Sequence, residues 1–267
     1  MKKKVLVIFG GTSKEREVSI KSGQACIKAI KELKYKIQKF DPSNNDFSKI
    51  KKYKTNLIFN ALHGKDGEDG NAQSYFEYYK IPYTHSGVLS SMNSMDKITS
   101  KEIFKKNNIT TPLYFFFNNI SYSRSLIKKK LKELNFNYPV IVKPSDEGSS
   151  IGVKICKDFK TLKKESENLL KIYKSLIVEK FIGGQEIQVA VINNKALGAI
   201  ELRPKRIFYD YKAKYLKSAK TEHIMPANLS KKKYTEVLKL AVRAHKSLKC
   251  RGITRSDFKF YNNRFFL

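Results

Sequence analysis

With 267 residues the chain is long enough for two or three compact domains, and its 41% hydrophobic and 12% aromatic content excludes a disordered chain. The 54 Lys and Arg against 24 Asp and Glu give a formal charge of +30, the balance of a nucleic-acid or anionic-membrane binder. Yet 46 of those cations are lysines spread over nearly every segment and only 8 are arginines, the residue that base readout favours, so most of the charge reads as solvated surface, with a nucleic-acid binder as a minor, third reading.

Met1 to Lys4 carries the charge of a signal n-region, but the apolar run Val5 to Phe9 is too short for a signal core, and no run approaches a membrane span. Val5 to Phe9 instead predicts a buried strand. Gly10 to Ser13 turns it into a helix on which Val18, Ala25, Ile30 and Leu33 recur at roughly helical spacing. Leu57 to Leu62 predicts a second strand, followed by a loop from His63 to Gly70, a helix from about Asn71 to Lys80 and an extended piece at Tyr83. Such alternation implies a doubly wound parallel sheet, whose ligands bind at the carboxyl ends of the strands. Both loops, 10–16 and 63–70, would lie there. A connecting helix is expected over Ser94 to Asn107, with a domain boundary near residue 95.

Beyond it the pattern predicts a strand at Leu113 to Phe117, a helix near Ser123 to Leu134, a strand ending at Lys143, a helix from about Asp158 to Tyr173 and a strand from Leu176 to Glu179. Side chains alternate along a strand, so Val140 and Val142 share one face while Ile141 and Lys143 share the other. The loop Ser145 to Gly152 is rich in Gly and Ser, and its amides can approach an anion closely. On residues alone, this stretch is either a hairpin whose lysine reaches water or a phosphate site. Gly183 and Gly184 break the chain before a hairpin of Glu186 to Ile192 and Lys195 to Leu202, joined at Asn193-Asn194. Residues 203–228 have the length and polarity of a lid or binding loop. A helix from about Lys231 to Leu248, a strand to Tyr261, a turn at Asn262-Asn263 and Arg264 to Leu267 complete the chain. The expected domains are 1–95, 96–182 and 183–267.

Several constellations admit two readings each. Glu15, three residues after Thr12, matches a capping box, or receives a ligand's ammonium beside anion-holding amides. His63 is an exposed loop histidine or a ligand contact. Glu179 and Glu186 are strand-end charges reaching water or site carboxylates. Arg255 and Asp257, two apart on a strand, form a surface ion pair or an oxyanion stabiliser next to a metal ligand. Cys26, Cys156 and Cys250 are far apart, form no CxxC, and suit a reducing cytoplasm.

The order of these segments adds more. Gly10-Gly-Thr-Ser-Lys-Glu-Arg-Glu-Val-Ser19, Ala61-Leu-His-Gly64 with Gly67-Glu-Asp-Gly70, Tyr83-Thr-His-Ser-Gly87 and Met95-Asp-Lys97 resemble the D-alanine–D-alanine ligases. So do Val142-Lys-Pro-Ser145 with Glu147-Gly-Ser-Ser150, Phe208-Tyr-Asp-Tyr-Lys-Ala-Lys-Tyr215 and Gly252-Ile-Thr-Arg-Ser-Asp257, so that the resemblance covers essentially the whole chain. It implies a doubly wound parallel α/β domain followed by a two-part α+β ATP-grasp fold. The implied activity is ATP-dependent joining of two D-alanines through a D-alanyl phosphate, for peptidoglycan synthesis, with Mg2+ or Mn2+. By the same resemblance Lys97, Lys143 and Lys214 meet phosphates, while Glu179, the backbone around Phe181, and Glu186 meet adenine and ribose. Glu15 receives the first D-alanine's ammonium, with His63 nearby, and Glu15, Ser149 and Tyr215 form a hydrogen-bonded trio. Arg255 stabilises the tetrahedral oxyanion, and Asp257 binds metal.

Tyr215 resembles D-alanine-adding members; lactate-adding relatives carry His there. One departure is that the sequence stops at Leu267, where the family continues with a Glu-x-Asn metal pair. The resemblance therefore implies a fold incomplete at its C-terminus, with Asp257 as the remaining metal ligand. A catalytically impaired nucleotide-binding fragment and a D-alanine–D-lactate ligase are the alternatives. A homodimer is left open.

Overall fold

The computed structural model describes residues 3–44, 46–204 and 221–267. It falls into two units, Met1–Met95 with Lys249–Ile253, and Asp96–Leu248 with Thr254–Leu267.

In the first unit the apolar run forms β1 (Lys4–Ile8), the centre of a parallel sheet with β2 (Lys36–Phe40) and β3 (Leu57–Asn60) at its sides. Tyr83 joins β3 through a parallel bridge to Ile58. Alternation sends Val5 and Val7 against Ile30 of α1 (Arg16–Glu32), and Leu6 and Ile8 against Phe76 of α2 (Asn71–Tyr78). Burial on both faces is why the run is unbroken, as parallel strands require. The residues of β2 carry no strand pattern of their own. Within Lys-Ile-Gln-Lys-Phe only Phe40 is buried, and lysines on an edge strand mask the pattern while guarding the edge.

The helix expected over Ser94 to Asn107 is instead two, α3 (Val88–Met95) and α4 (Lys97–Lys106). Asp96 is extended, with ψ 107°, and its carboxylate accepts from the Thr99 amide at 2.7 Å, so it caps α4 rather than continuing the helix before it.

The second unit holds two sheets. β4 (Tyr114–Asn118), β5 (Val140–Pro144), β6 (Lys154–Cys156) and β7 (Ser175–Lys180) are antiparallel in the order β4-β7-β5-β6. Val140, Val142 and Val178 pack one face of this sheet against Ile127 of α5 (Arg124–Glu133) and Leu162 of α6 (Phe159–Leu170). Ile141 and Lys143 are left on the other face. β8 (Gln185–Ile192) and β9 (Lys195–Arg203) form the expected hairpin, with Asn193 and Asn194 at φ 46° and 66° in its two-residue turn. With β10 (Glu222–Ile224), β11 (Ile253–Tyr261) and β12 (Arg264–Phe266) they make a sheet ordered β10-β9-β8-β11-β12. Val189, Val191 and Phe258 pack it on Val237 and Ala241 of α7 (Lys231–Ser247). Gly184, at φ +84°, lets β7 run into β8 where any Cβ would overlap the Phe260 carbonyl of β11.

Candidate active site

Within the second unit, the free face of β5 and β7, α4 and the start of β8 line a cleft of about 270 Å³ together with β11. Ile141, Ile182 and Phe258 supply its apolar walls, and Lys97, Lys143, Glu179, Glu186 and Asp257 its charges. Glu179 on β7 is flanked by Tyr114 on β4 and Ile141 on β5, and is only 4% exposed. Its Oε2 accepts from Lys143 Nζ at 2.6 Å, and its Oε1 lies 3.0 Å from Lys101 Nζ of α4. Burial raises the pKa of this carboxyl, but the two ammonium groups outweigh burial and bring it down to about 2. It stays ionised.

Lys97, in the first turn of α4, donates its amide to the Ser145 carbonyl at 2.9 Å and its Nζ to the Ser145 and Glu147 carbonyls. Burial first, and then Lys143 nearby, push its pKa down to about 8. The loop that receives it turns twice: Ser149, Ser150 and Gly152 all have positive φ, and the Ile151 amide donates to the Gly148 carbonyl at 2.9 Å. Left-handed backbone in non-glycine residues such as Ser149 and Ser150 carries strain that clusters at ligand sites. Ser150 lines the cleft. Across it, Glu186 pairs with Lys259 at 2.6 Å, and Asp257 takes a two-pronged bond from Arg255, Nε to Oδ1 at 2.8 Å and Nη2 to Oδ2 at 3.2 Å. Phe181 follows β7, half-buried.

In the first unit Glu15 is 4% exposed and is not part of a capping box. α1 begins at Arg16, after Glu15, and the Glu15 side chain makes no cap bond. Gly10 and Gly11, both at positive φ, and a turn closed by Arg16 N to the Ser13 carbonyl at 3.1 Å delay the helix by three residues relative to a start capped by Thr12. Arg16 holds that turn through Asp41, donating Nη1 to Oδ1 at 3.1 Å and Nη2 to Oδ2 at 2.8 Å; burial raises the Asp41 pKa, but Arg16 and loop donors take it well below the carboxylate range. The Glu15 carboxylate lies against the second loop: a Cβ on Gly64 would come 2.7 Å from its Oε2, which only glycine avoids. Ser13 Oγ donates to the His63 carbonyl at 2.7 Å, and His63 Nε2 meets Ser22 Oγ at 3.0 Å. A small cavity of about 50 Å³ opens beside Gly10, Thr12, His63 and Asp66.

The expected site residues thus sort into groups. Lys97, Lys143, Glu179, Glu186 and Asp257 share one cleft; Arg255 binds Asp257, and Ser149 stands beside the cleft-lining Ser150. Glu15 and His63 share the loop pair of the first unit. Lys214 and Tyr215, with the loop from Phe208, lie outside the described residues. Reading the residues missed Lys101. Its one signal was the spacing of four from Lys97 on a predicted helix, hidden among so many lysines.

A family model described as "D-ala D-ala ligase C-terminus" matches residues 103–267. A D-alanine–D-alanine ligase of Pelagibacter ubique is 49% identical over the whole chain, which covers 86% of that relative. The chain belongs to the D-alanine–D-alanine ligase family. A solved D-alanine–D-alanine ligase of Bacillus anthracis superposes with a TM-score of 0.86 at 33% identity, over 99% of this chain and 84% of that one. The same enzyme complexed with ATP gives 0.84 at 30% identity, over 99% and 84%. The fold is the ATP-grasp fold of the D-alanine–D-alanine ligases, with its sheets open. Among the described residues, no three His, Cys, Asp or Glu gather as a metal-binding group, and no helix is long and apolar enough to cross a membrane. The cleft still fits the Mg2+ of a D-alanine–D-alanine ligase. Mg2+ commonly takes one or two carboxylates plus substrate phosphates, and Asp257 is the cleft carboxylate whose partner, Arg255, is the most exposed, at 57%.

Proposed function

We propose that the chain joins two D-alanines with ATP and Mg2+, making the dipeptide of peptidoglycan precursors in the cytoplasm. The carboxylate of one D-alanine attacks the γ-phosphorus of ATP, ADP leaves, and an acyl phosphate remains. The amine of the second attacks the acyl carbon, loses a proton, and expels inorganic phosphate from a tetrahedral intermediate. Both steps build negative charge on oxygen, so positioned cations govern the rate. In the second unit Lys97 and Lys143 hold phosphates, and Glu179, Glu186 and the backbone at Phe181 hold adenosine. Arg255 meets the tetrahedral oxygen, and Asp257 would hold Mg2+, which would offset charge on the phosphoryl group. Glu15, with His63 beside it, receives the first ammonium in the first unit, and Ser149, Lys214 and Tyr215 keep the roles that the resemblance implies. The functional division remains 1–95, 96–182 and 183–267.

The observation that carries this reading is the cationic cleft, where Lys97 and Lys143 stand beside a buried, ionised Glu179. Phosphate release with ATP, Mg2+ and D-alanine tests it, with one phosphate expected per dipeptide. Folded protein that yields neither dipeptide nor D-alanine-dependent phosphate overturns it.

Lys97 gives a second check. Its pKa of about 8 without ligand leaves it about half charged at pH 8, and bound phosphates favour the charged form. ATP binding at pH 8 should therefore take up roughly half a proton at Nζ, read by calorimetry in two buffers of different ionisation enthalpy. Lys97→Met should abolish that uptake.

A further inference from the structure

Lys97 and Lys101 stand four residues apart on α4, a spacing that puts two cations on one helix face and destabilises a bare helix. Lys101 is also only 6% exposed, where an unpaired ammonium is costly. The fold surrounds it with partners of its own. Its Nζ lies 3.0 Å from Glu179 Oε1, donates to the Pro112 carbonyl at 3.2 Å and sits 5.1 Å from the centre of the Tyr114 ring. Lys143 holds the other Glu179 oxygen from a more open position, its side chain 19% exposed against 7% for Lys101. A polyanion in the cleft can draw Lys143 away. Lys101 is anchored.

We propose that Lys101 is a positioning residue of the nucleotide site, the fixed counter-ion that keeps Glu179 ionised and aimed when Lys143 turns to a phosphate. The inference rests on the reading of this cleft as the ATP site. Among the described residues, the charged and titratable groups facing Glu179 are Lys143 from β5, Lys97 and Lys101 from α4, and Tyr114 from β4. Phosphates engage Lys143 and Lys97, and the Tyr114 hydroxyl donates to Glu102, so among the described residues Lys101 remains to balance the carboxylate. Without it, a buried Glu179 would take a proton onto one carboxyl oxygen as ATP enters. A neutral acid is a weaker acceptor for adenosine's donor groups than the carboxylate is.

Calorimetric titration of the chain with ATP and Mg2+ at pH 6, in two buffers of different ionisation enthalpy, tests this. Lys101→Met should raise the Kd for ATP at least tenfold and bind with proton uptake beyond that of the unaltered protein, whereas Lys101→Arg should stay within threefold. A purely structural role would not move the proton count. In a Glu179→Gln background, adding Lys101→Met should change Kd less than twofold, and this comparison serves if the single variant does not fold, since it removes the more buried of the two ammonium groups that Glu179→Gln leaves without a carboxylate. A Lys101→Met protein that binds like the unaltered one without extra proton uptake, or a further tenfold loss in the double variant, overturns the inference alone. Unaltered protein that binds no ATP overturns the reading of the cleft, and the inference with it.

Discussion

Glu179→Ala should weaken ATP binding at least a hundredfold and destabilise the second unit by about 3–5 kcal/mol, the cost of breaking a buried ion pair from one side. Lys101, which has little water of its own, would lose the carboxylate at 3.0 Å, and Lys143 the one at 2.6 Å. The two effects can be separated. Adding Lys101→Met to Glu179→Ala removes the stranded ammonium and should restore much of the stability, while ATP binding stays lost because the acceptor is gone. Restored binding in the double variant would remove Glu179 from the nucleotide site. The pH dependence carries the same information. Glu179 titrates near 2 in the fold against an ordinary value of 4.5, so its stabilisation is full above pH 4.5 and is lost as pH falls toward 2. Denaturant midpoints measured from pH 6 down to pH 2 should therefore fall less steeply for Glu179→Gln than for the unaltered protein.

How much of this could be read from residues depended on what each residue had to satisfy. Val5 to Phe9 announced a doubly buried strand because nothing polar interrupts it. The alternation Val140, Ile141, Val142, Lys143 placed the lysine on the cleft face because strand geometry leaves no choice. Charges were harder. A glutamate at the end of an apolar strand ordinarily reaches water, and Glu179 does not, because lysines from two other elements neutralise it. Such pairing joins residues 36 and 78 positions away and leaves no local trace. The same holds for β2, whose partner strand supplies the burial that its own lysines conceal. Local signals also misled. Thr12 and Glu15 have capping-box spacing, but two left-handed glycines and the Arg16–Asp41 pair carry the chain past the point where a helix could begin. Asp96 broke a helix that looked continuous because its side chain satisfies the Thr99 amide.

Arg255→Ala should lower turnover about a hundredfold while leaving stability within about 1 kcal/mol. A single well-placed donor to a tetrahedral oxyanion contributes about 3 kcal/mol to the barrier. An exposed ion pair, by contrast, contributes at most about 1 kcal/mol to the fold. Arg255 is 57% exposed, and its pair with Asp257 lies within one strand. The pairing nonetheless orients it: Nε and Nη2 both engage the carboxylate, fixing the plane of the guanidinium at the cleft. Removing the arginine leaves Asp257 an unencumbered carboxylate, so the loss should not come through weaker Mg2+ binding. Arg255→Lys keeps the charge but not the planar fork and should recover only part of the rate. Steady-state kinetics with ATP and D-alanine, set beside denaturant midpoints, decide the matter. Turnover within threefold of the unaltered protein would leave Arg255 as a surface ion pair, and a hundredfold loss at unchanged midpoint would place it at the reacting carbonyl.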